Sequence, residues 1–543
     1  MVILFGFRQR ICRRVDAVSF PYGSEVLDYD EESRDQMRRI FGLETEYGIT
    51  LSGAETVDVV AESIELVRRY TDHGALMKWD YDLEDPHLDA RGFRARELLQ
   101  DTDESAYYEI DKRRPLSFEE IKSDLVLSNG ARFYNDHAHP EYSTPECTTL
   151  QQIAAQDKAG ERILAECARR RNQKLPLGYE VRLYKNNTDF AGHSYGCHDN
   201  YLMTRDIPWD RIVAGILPFL VTRQIFAGAG KMGTDGESSQ GEPGIYQISQ
   251  RADFFSVVVS IDTMNRRPLI NTRDEPHVDA SRYRRFHVIL GDSNMSEWAT
   301  AMKIGTTALV LDLIERGEAP QLEIAQPVEA NKSISRDQTY DWIIELKDGR
   351  KISAIDVQRI YLGAAKELWR NPPDHEHAWI LNEWENALND LERDPMSTRD
   401  RVDWSAKKFL LDALQQDEKL SWSDPWLQSI DLEYHNLDLD RGLYYELLRK
   451  GLMRRVTSED EVKAAIFNPP ETTRAFFRGR AVARFNDQIS SIQWDEIVFS
   501  NGAYSHRVAL PEAAMDARLD ALNHAAHNGK DFPEFMSAVA QIG

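Results

Sequence analysis

The segment RRIFGLETEYGIT, residues 38–50, alternates apolar and polar residues with a period of two. Such alternation predicts a β-strand with one buried face. The opposite face carries Glu44 and Glu46, whose carboxylates would lie about 7 Å apart. Neighbouring carboxylates repel unless a proton or cation neutralises them, and Mg²⁺ prefers hard oxygen ligands. We therefore predict a divalent cation at these glutamates; a solvated, exposed strand face is the alternative.

Composition limits the class of protein. The 543 residues suggest two to four domains, and 42% hydrophobic residues allow large cores. A net charge of −24 argues against nonspecific nucleic-acid binding, so we expect no nucleic-acid partner. The four cysteines form no C-x-x-C pair, which favours a reducing, cytoplasmic location. The longest apolar run, residues 212–222, is too short to span a membrane, so we expect no membrane association.

The sequence divides into three regions. Residues 1–36 show no clean pattern and are expected to be a flexible N-terminal extension. Residues 37–430 combine polar strand-like runs with helical segments and are predicted to form the catalytic domain, and residues 431–543 a small C-terminal α/β domain. The segment GAGKMGTDG is not a nucleotide-binding P-loop, because Ile225 and Met232 occupy positions that the motif reserves for Gly and Ser or Thr.

A second polar strand lies in NGARFYNDHAHPEYSTPEC, residues 129–147. Alternation places Arg132, Tyr134 and Asp136 on one face. The following His137 and His139 could form a zinc pair, as in amidohydrolase barrels. Such barrels need regular βα repeats, whereas the polar strands of this chain look antiparallel, so the zinc barrel is disfavoured.

Two later segments complete the pattern. GHSYGCHDNYLMT places His198 and Asn200 on one strand face, and SRYRRFHVILGDSN contains Arg285 and His287. Four strands that each carry acids, imidazoles or guanidiniums on one face predict a sheet with a charged concave cleft. Carboxylates hold metal ions and arginines bind phosphate oxygens, so a magnesium nucleotide is the predicted occupant.

The motifs GLETEYG, NGARFYNDHAHPEY, YKNNTD, SYGCHDNYL, NTRDEPHVDASRYRRFHVILGDSN and TTRAFFRG together resemble the Pup ligase/depupylase family, which acts on prokaryotic ubiquitin-like protein (Pup) and is related to glutamine synthetase. The resemblance runs from Met37 to the end of the chain. It implies an α+β fold with a glutamine synthetase-like curved antiparallel sheet backed by helices and a small C-terminal α/β domain.

Several features resemble the depupylase branch of this family. Tyr47 and Asn129 lie 82 positions apart, and the intervening KWDYDLEDPHLDARGF is similar to the depupylase insertion, which we expect within residues 51–127. DHAHPEY also matches that branch, whereas YKNNTD and GCHDNY are nearer to the ligases. The resemblance implies ATP and Mg²⁺ as cofactors and assigns roles to nine residues. The expected metal ligands are Glu44, Glu46, Tyr134 and Glu141; the expected nucleotide contacts are Arg132, Thr144, Arg285 and Trp494; the expected catalytic residue is Asp136.

The activity implied by the resemblance is ATP- and Mg²⁺-dependent hydrolysis of the isopeptide bond between Pup and substrate lysines, with deamidation of a C-terminal Gln of Pup where present. Pup and pupylated proteins are the expected partners. A Pup–protein ligase, a glutamine synthetase-type carboxylate–amine ligase and a catalytically silent Pup-binding protein are the alternatives. Asp136 could attack the carbonyl directly or activate a water as general base, and the sequence leaves both open.

Overall fold

The structure is a computed structural model that describes residues 39–54, 57–70, 75–82, 84–98, 115–190, 192–235, 244–263, 266–500, 505–511 and 516–542. The predicted N-terminal extension, residues 1–36, lies outside the described residues.

The described residues form strands with the following bounds: β1 Phe41–Glu46, β2 Gly48–Ser52, β3 Leu88–Asp89, β4 Phe93–Arg94, β5 Leu125–Val126, β6 Arg132–Asp136, β7 His139–Ser143, β8 Glu180–Tyr184, β9 Cys197–Thr204, β10 Lys231–Met232, β11 Tyr246–Gln247, β12 Phe255–Ser260, β13 Arg267–Asn271, β14 Tyr283–Val288, β15 Ile343–Glu345, β16 Lys351–Ser353, β17 Ile489–Ile492, β18 Glu496–Ser500 and β19 Ser505–Ala509.

The helices of the described residues are α1 Val59–Val67, α2 Phe118–Lys122, α3 Leu150–Asn172, α4 Trp209–Ala227, α5 Glu297–Arg316, α6 Pro327–Arg336, α7 Ala354–Leu368, α8 His375–Arg393, α9 Asp403–Glu418, α10 Pro425–Tyr434, α11 Leu443–Arg449, α12 Glu459–Ala465, α13 Arg474–Phe485, α14 Ala517–Asn528 and α15 Phe532–Ile542. Short 3₁₀ turns cover Ala252–Phe254, Pro395–Thr398 and Asn486–Gln488. Within the part of the chain that the structure describes, no helix combines the length and the apolar character needed to cross a bilayer.

The largest sheet has six strands in the order β14-β9-β1-β7-β6-β5, and every neighbouring pair is antiparallel. Buried and partly exposed residues alternate strictly along β1, as the sequence pattern predicts. The register sets Glu46 opposite Glu141, and Glu141 opposite Tyr134 on the next strand. Antiparallel pairing confirms the predicted α+β class, and it brings the polar residues of separate segments to one face.

Helices cover the apolar side of this sheet and form the larger core with it. Helix α5 is buried on nearly all sides, which suits a helix in the middle of a layer. It begins where the Ser296 hydroxyl accepts a hydrogen bond from the Ala299 N–H, and ends at Gly317 in the left-handed conformation. Helix α3 approaches the sheet closely at Gly160, where a Cβ would stand 2.5 Å from the Tyr142 ring.

The C-terminal part has its own three-stranded sheet, in the order β17-β18-β19, and a second core with α13, α14 and α15. Core residues of the larger cluster continue to Val456, and the second cluster contains Phe476 and residues beyond it. The second cluster also includes Leu76 and Trp79, which lie far earlier in the chain, and Trp79 forms a parallel β-bridge with Ile492. The domain boundary at residues 430–431 and the insertion within 51–127 stay predictions.

Candidate active site

A polar cleft of about 360 Å³ lies on the open face of the six-stranded sheet. Side chains from β1, β6, β7, β9 and β14 form its floor, because alternate residues of these strands point to the same side. Eight of the nine predicted site residues line it: Glu44, Glu46, Arg132, Tyr134, Asp136, Glu141, Arg285 and Trp494. The ninth, Thr144, lines a smaller pocket beside the cleft.

Three carboxylates form one acidic cluster in the cleft. Glu46, Asp136 and Glu141 each offer an oxygen within 4.8 Å of the others. The Tyr134 hydroxyl donates a hydrogen bond of 2.7 Å to Glu141 Oε1. Burial, followed by the nearby charges of Asp136 and Glu44, raises the pKa of Glu141 well above its ordinary value. A bound cation would relieve this repulsion, and the all-oxygen donor set suits a hard divalent ion.

Glu44 lies in a second cluster, surrounded by nitrogen groups. Its Oε1 accepts hydrogen bonds of 3.1 Å from Asn200 and from Arg285. His198 Nδ1 and His287 Nε2 lie 3.2 and 3.5 Å from Oε2. Although burial opposes ionisation, these neighbours hold the pKa of Glu44 well below its ordinary value.

The two histidines of this second cluster were not among the predicted metal ligands. Burial, and then the charge of Arg285, lowers the pKa of His287 to about 3, so its ring is neutral. Neither ring nitrogen of His287 makes a hydrogen bond within the described part of the chain, although the side chain is only 5% exposed. A buried neutral imidazole whose ring nitrogens make no hydrogen bond, next to a carboxylate, fits a cation. The signal for both histidines was their place on polar strand faces.

Asp136, the predicted catalytic residue, ends β6 beside the acidic cluster. Lys122 Nζ lies 2.6 Å from its Oδ1, and His137 Nε2 lies 3.7 Å from its Oδ2. Burial would raise the pKa of Asp136, but the charges of Lys122 and His137 outweigh it and hold the pKa well below the ordinary value. The carboxylate is therefore ionised at neutral pH.

Arg132 is fixed in an aromatic cage. Its guanidinium stacks between the rings of Trp79 and Tyr134, each centroid 4.0 Å away. Its Nε donates to Asp124 Oδ1 at 2.7 Å, and Nη2 donates to the Tyr81 hydroxyl at 3.2 Å. Although burial opposes it, the charge of Asp124 raises the pKa of Arg132 above its ordinary value, so the group is a permanent cation at the cleft wall.

The smaller pocket, of about 100 Å³, adjoins the cleft at Arg285 and Trp494. Trp494 packs edge-on against Trp79, with ring centroids 5.4 Å apart, and Arg478 lies over its ring. Thr144 is 5% exposed, and its hydroxyl accepts a hydrogen bond of 3.0 Å from the Leu43 N–H. Thr144 therefore helps to shape the pocket, while its hydroxyl is already engaged with the backbone.

The two residues of the H-x-H pair lie where β6 turns into β7: His137 is in the turn and His139 begins β7. Within the described ranges, neither His137 nor His139 belongs to a cluster of three or more possible metal ligands. His139 stacks on Tyr195 with ring centroids 4.4 Å apart, and burial lowers its pKa to about 4. Together with the antiparallel sheet, this geometry opposes the zinc-barrel alternative.

Comparison with known proteins gives consistent results. A family model described as Pup-ligase protein matches residues 39–498. The chain is 44% identical to the depupylase of Acidothermus cellulolyticus over 85% of this chain and 91% of that protein. It is 44% identical to the Pup deamidase/depupylase of Mycobacterium tuberculosis over 86% and 92% of the two chains. The crystal structure of the complex between Pup and its ligase PafA superposes with a TM-score of 0.72 at 32% identity, covering 90% and 92%. The chain belongs to the Pup-ligase protein family.

Proposed function

We propose that this protein is an ATP- and Mg²⁺-dependent depupylase. It hydrolyses the isopeptide bond between Pup and substrate lysines, and deamidates a C-terminal Gln of Pup where present. The observation that carries the proposal is the ionised Asp136 at the edge of an acidic cluster, in a chain 44% identical to depupylases. Pup and pupylated proteins are the proposed partners. The three described cysteines are buried and form no disulfide among the described residues, which supports a cytoplasmic location.

Mg²⁺ fits the residues of the cleft. Glu46 and Glu141 offer oxygens within 4.8 Å of each other, and the Tyr134 hydroxyl contacts Glu141, so these three residues would hold the ion. Glu44, in the neighbouring cluster, is the fourth proposed ligand. Among the described residues, no cationic side chain forms an ion pair with Glu141, whose pKa is raised. When bound, Mg²⁺ would neutralise these acids and attract phosphate oxygens. Arg132 and Arg285 offer further positive charge to the phosphates, and the smaller pocket at Trp494 and Thr144 would receive the base.

Asp136 acts on the carbonyl carbon of the side-chain amide. In one route its carboxylate attacks this carbon and forms an anhydride while the departing amine takes a proton from water; a water molecule then hydrolyses the anhydride and restores the Asp136 carboxylate. In the other route the carboxylate removes a proton from the attacking water. Either role requires the ionised form, which the charge of Lys122 favours. The proton gained from water in the second route can pass to the departing amine.

A purified Pup–lysine conjugate tests the proposal. We expect the protein to release Pup from the conjugate in the presence of Mg-ATP and to leave it intact when either component is omitted. Release that needs neither component would contradict the cofactor assignment. A conjugate that stays intact under all conditions would contradict the hydrolase.

A Pup–protein ligase is the second candidate, because the PafA structure shares the fold. Relatives that are Pup–protein ligases are 37–40% identical to this chain, against 43–44% for the depupylases. Mixing Mg-ATP, Pup that ends in Glu and a lysine-containing acceptor protein separates the two. Accumulation of conjugates would favour the ligase, and their absence together with cleavage of preformed conjugates would favour the depupylase.

A further inference from the structure

Lys122 makes a direct ionic contact with the proposed catalytic carboxylate. Its ammonium lies 2.6 Å from Asp136 Oδ1, and the two side chains are only 19% and 22% exposed. Within the described residues, Asp136 Oδ2 makes no hydrogen bond, although His137 Nε2 lies 3.7 Å from it. The Lys122 contact thus engages Oδ1 and leaves the hydrogen-bonding capacity of Oδ2 available to a substrate.

We infer that Lys122 is a positioning residue for the proposed hydrolysis. Its ammonium anchors Asp136 Oδ1, so that Oδ2 is presented to the substrate amide. The inference rests on the proposed function. It extends that function by giving a role to Lys122, which lies on helix α2 and not on a strand of the cleft floor.

Asp136 needs such an anchor because of its surroundings. Oxygens of Glu46 and Glu141 lie within 4.8 Å, and like charges at this distance repel in a partly buried site. Without a counter-charge on its outer side, the Asp136 side chain would rotate away from the cluster. The Lys122 ammonium lowers the energy of the observed rotamer by attracting Asp136 Oδ1.

The protein holds Lys122 in place through local structure on both sides. Helix α2 begins at a complete capping box, in which Ser117 and Glu120 satisfy each other's backbone N–H groups. It ends at Ser123 in the left-handed conformation. Asn135, next to Asp136, donates its amide to the Ile121 carbonyl at 3.1 Å. Helix α2 and strand β6 are therefore tied together beside the ion pair, unlike a solvated surface pair between long side chains.

Substitution of Lys122 tests the role with separate kinetic readouts. For Lys122→Met we expect kcat for conjugate cleavage to fall at least tenfold, with KM and nucleotide affinity within threefold of wild type. The matched control is Lys366→Met, which removes an exposed ion pair with Glu385, also at 2.6 Å. This control should stay within twofold of wild type in all three quantities.

Chemical rescue separates positioning from a merely structural role. Lys122→Cys should lose activity like the Met variant and regain most of it after aminoethylation, which rebuilds an ammonium of nearly the same length. An uncharged S-ethyl adduct should not restore activity. The three described native cysteines are buried, and wild-type protein treated in parallel controls for any other modification.

The outcomes separate failure of the positioning role from failure of the proposed function. Wild-type kcat in Lys122→Met, faster cleavage by that variant, or failure of the aminoethyl adduct to restore a folded Cys variant would each overturn the positioning role. A wild-type protein that cleaves no conjugate would instead overturn the proposed function itself. Loss of kcat with preserved nucleotide affinity, followed by rescue with the charged adduct alone, would support the inference.

Discussion

Glu44 and Glu46 stand two residues apart on the same face of β1, yet the protein treats them differently. Glu44 is surrounded by Asn200, Arg285 and two imidazoles, so the chain itself compensates its charge. Glu46 lies within 4.8 Å of the carboxylate oxygens of Asp136 and Glu141, and His139 Nδ1 lies 3.8 Å from its Oε2. The comparison teaches that one strand face can carry both a carboxylate surrounded by nitrogen donors and a member of an acidic cluster, and that the concentrated negative charge of the second favours an external cation.

Replacing Asp136 should give the largest effect, because it removes the reacting group of the acidic cluster. For Asp136→Asn we expect conjugate cleavage to fall by about three orders of magnitude or more, as for loss of a nucleophile or base. Gel quantification of released Pup measures this, and binding of a fluorescent nucleotide provides the control. Cleavage within tenfold of wild type would remove Asp136 from the mechanism.

Glu146 extends the comparison to a fully compensated carboxylate. Burial opposes its ionisation, but Arg478 and Arg474 lower its pKa from 4.5 to about 2. This difference corresponds to roughly 3 kcal/mol of stability, present above pH 4.5 and lost as the pH falls through 2. The free energy of unfolding, measured with urea across this pH range, should fall less steeply with decreasing pH for Glu146→Gln than for wild type. An equally steep fall in both proteins would contradict the ion-pair assignment.

Neutral substitutions at Glu44 and Glu141 should have opposite effects on the metal-free protein. Glu44→Gln removes the nearer of the two carboxylates that face Arg285, leaving only Glu275 at 3.8 Å, and should lower the free energy of unfolding by about 1–3 kcal/mol. Glu141→Gln removes a repelled acid, so stability should stay equal or rise, while Mg²⁺ stabilises this variant less than wild type. Thermal melting with and without Mg²⁺ measures both effects. A loss of stability in both metal-free variants would contradict the difference between Glu44 and Glu141.

Trp494→Ala should give the smallest effect, on nucleotide binding alone. Loss of one aromatic contact costs about 1–1.5 kcal/mol, which corresponds to roughly a tenfold weaker nucleotide affinity. Phe at this position should recover most of the affinity because it restores a ring. Titration of a fluorescent nucleotide measures both variants, and an unchanged affinity for the Ala variant would remove Trp494 from the nucleotide site.

The sequence could predict the floor of the cleft because strand alternation is a local property. The polar faces with Glu44, Arg132 and Arg285 follow from a period of two, and the antiparallel sheet brings them together. The family resemblance added the role of Asp136. The contact of Lys122 with Asp136 was not predictable, because it depends on how the chain folds from α2 through β5 back to β6. Nor did the pattern reveal that the Thr144 hydroxyl is engaged with the Leu43 N–H.

The contacts of Trp79 affect the order in which parts of the cleft can form during synthesis. Its ring contacts both Arg132 and Trp494, and its backbone pairs with Ile492. The wall of the cleft therefore depends on a stretch of chain that leaves the ribosome hundreds of residues after Glu46. Because early segments fold first, the nascent protein can form its acidic floor while it still lacks this wall. Nucleotide affinity should consequently arise late, once residue 494 has emerged and docked.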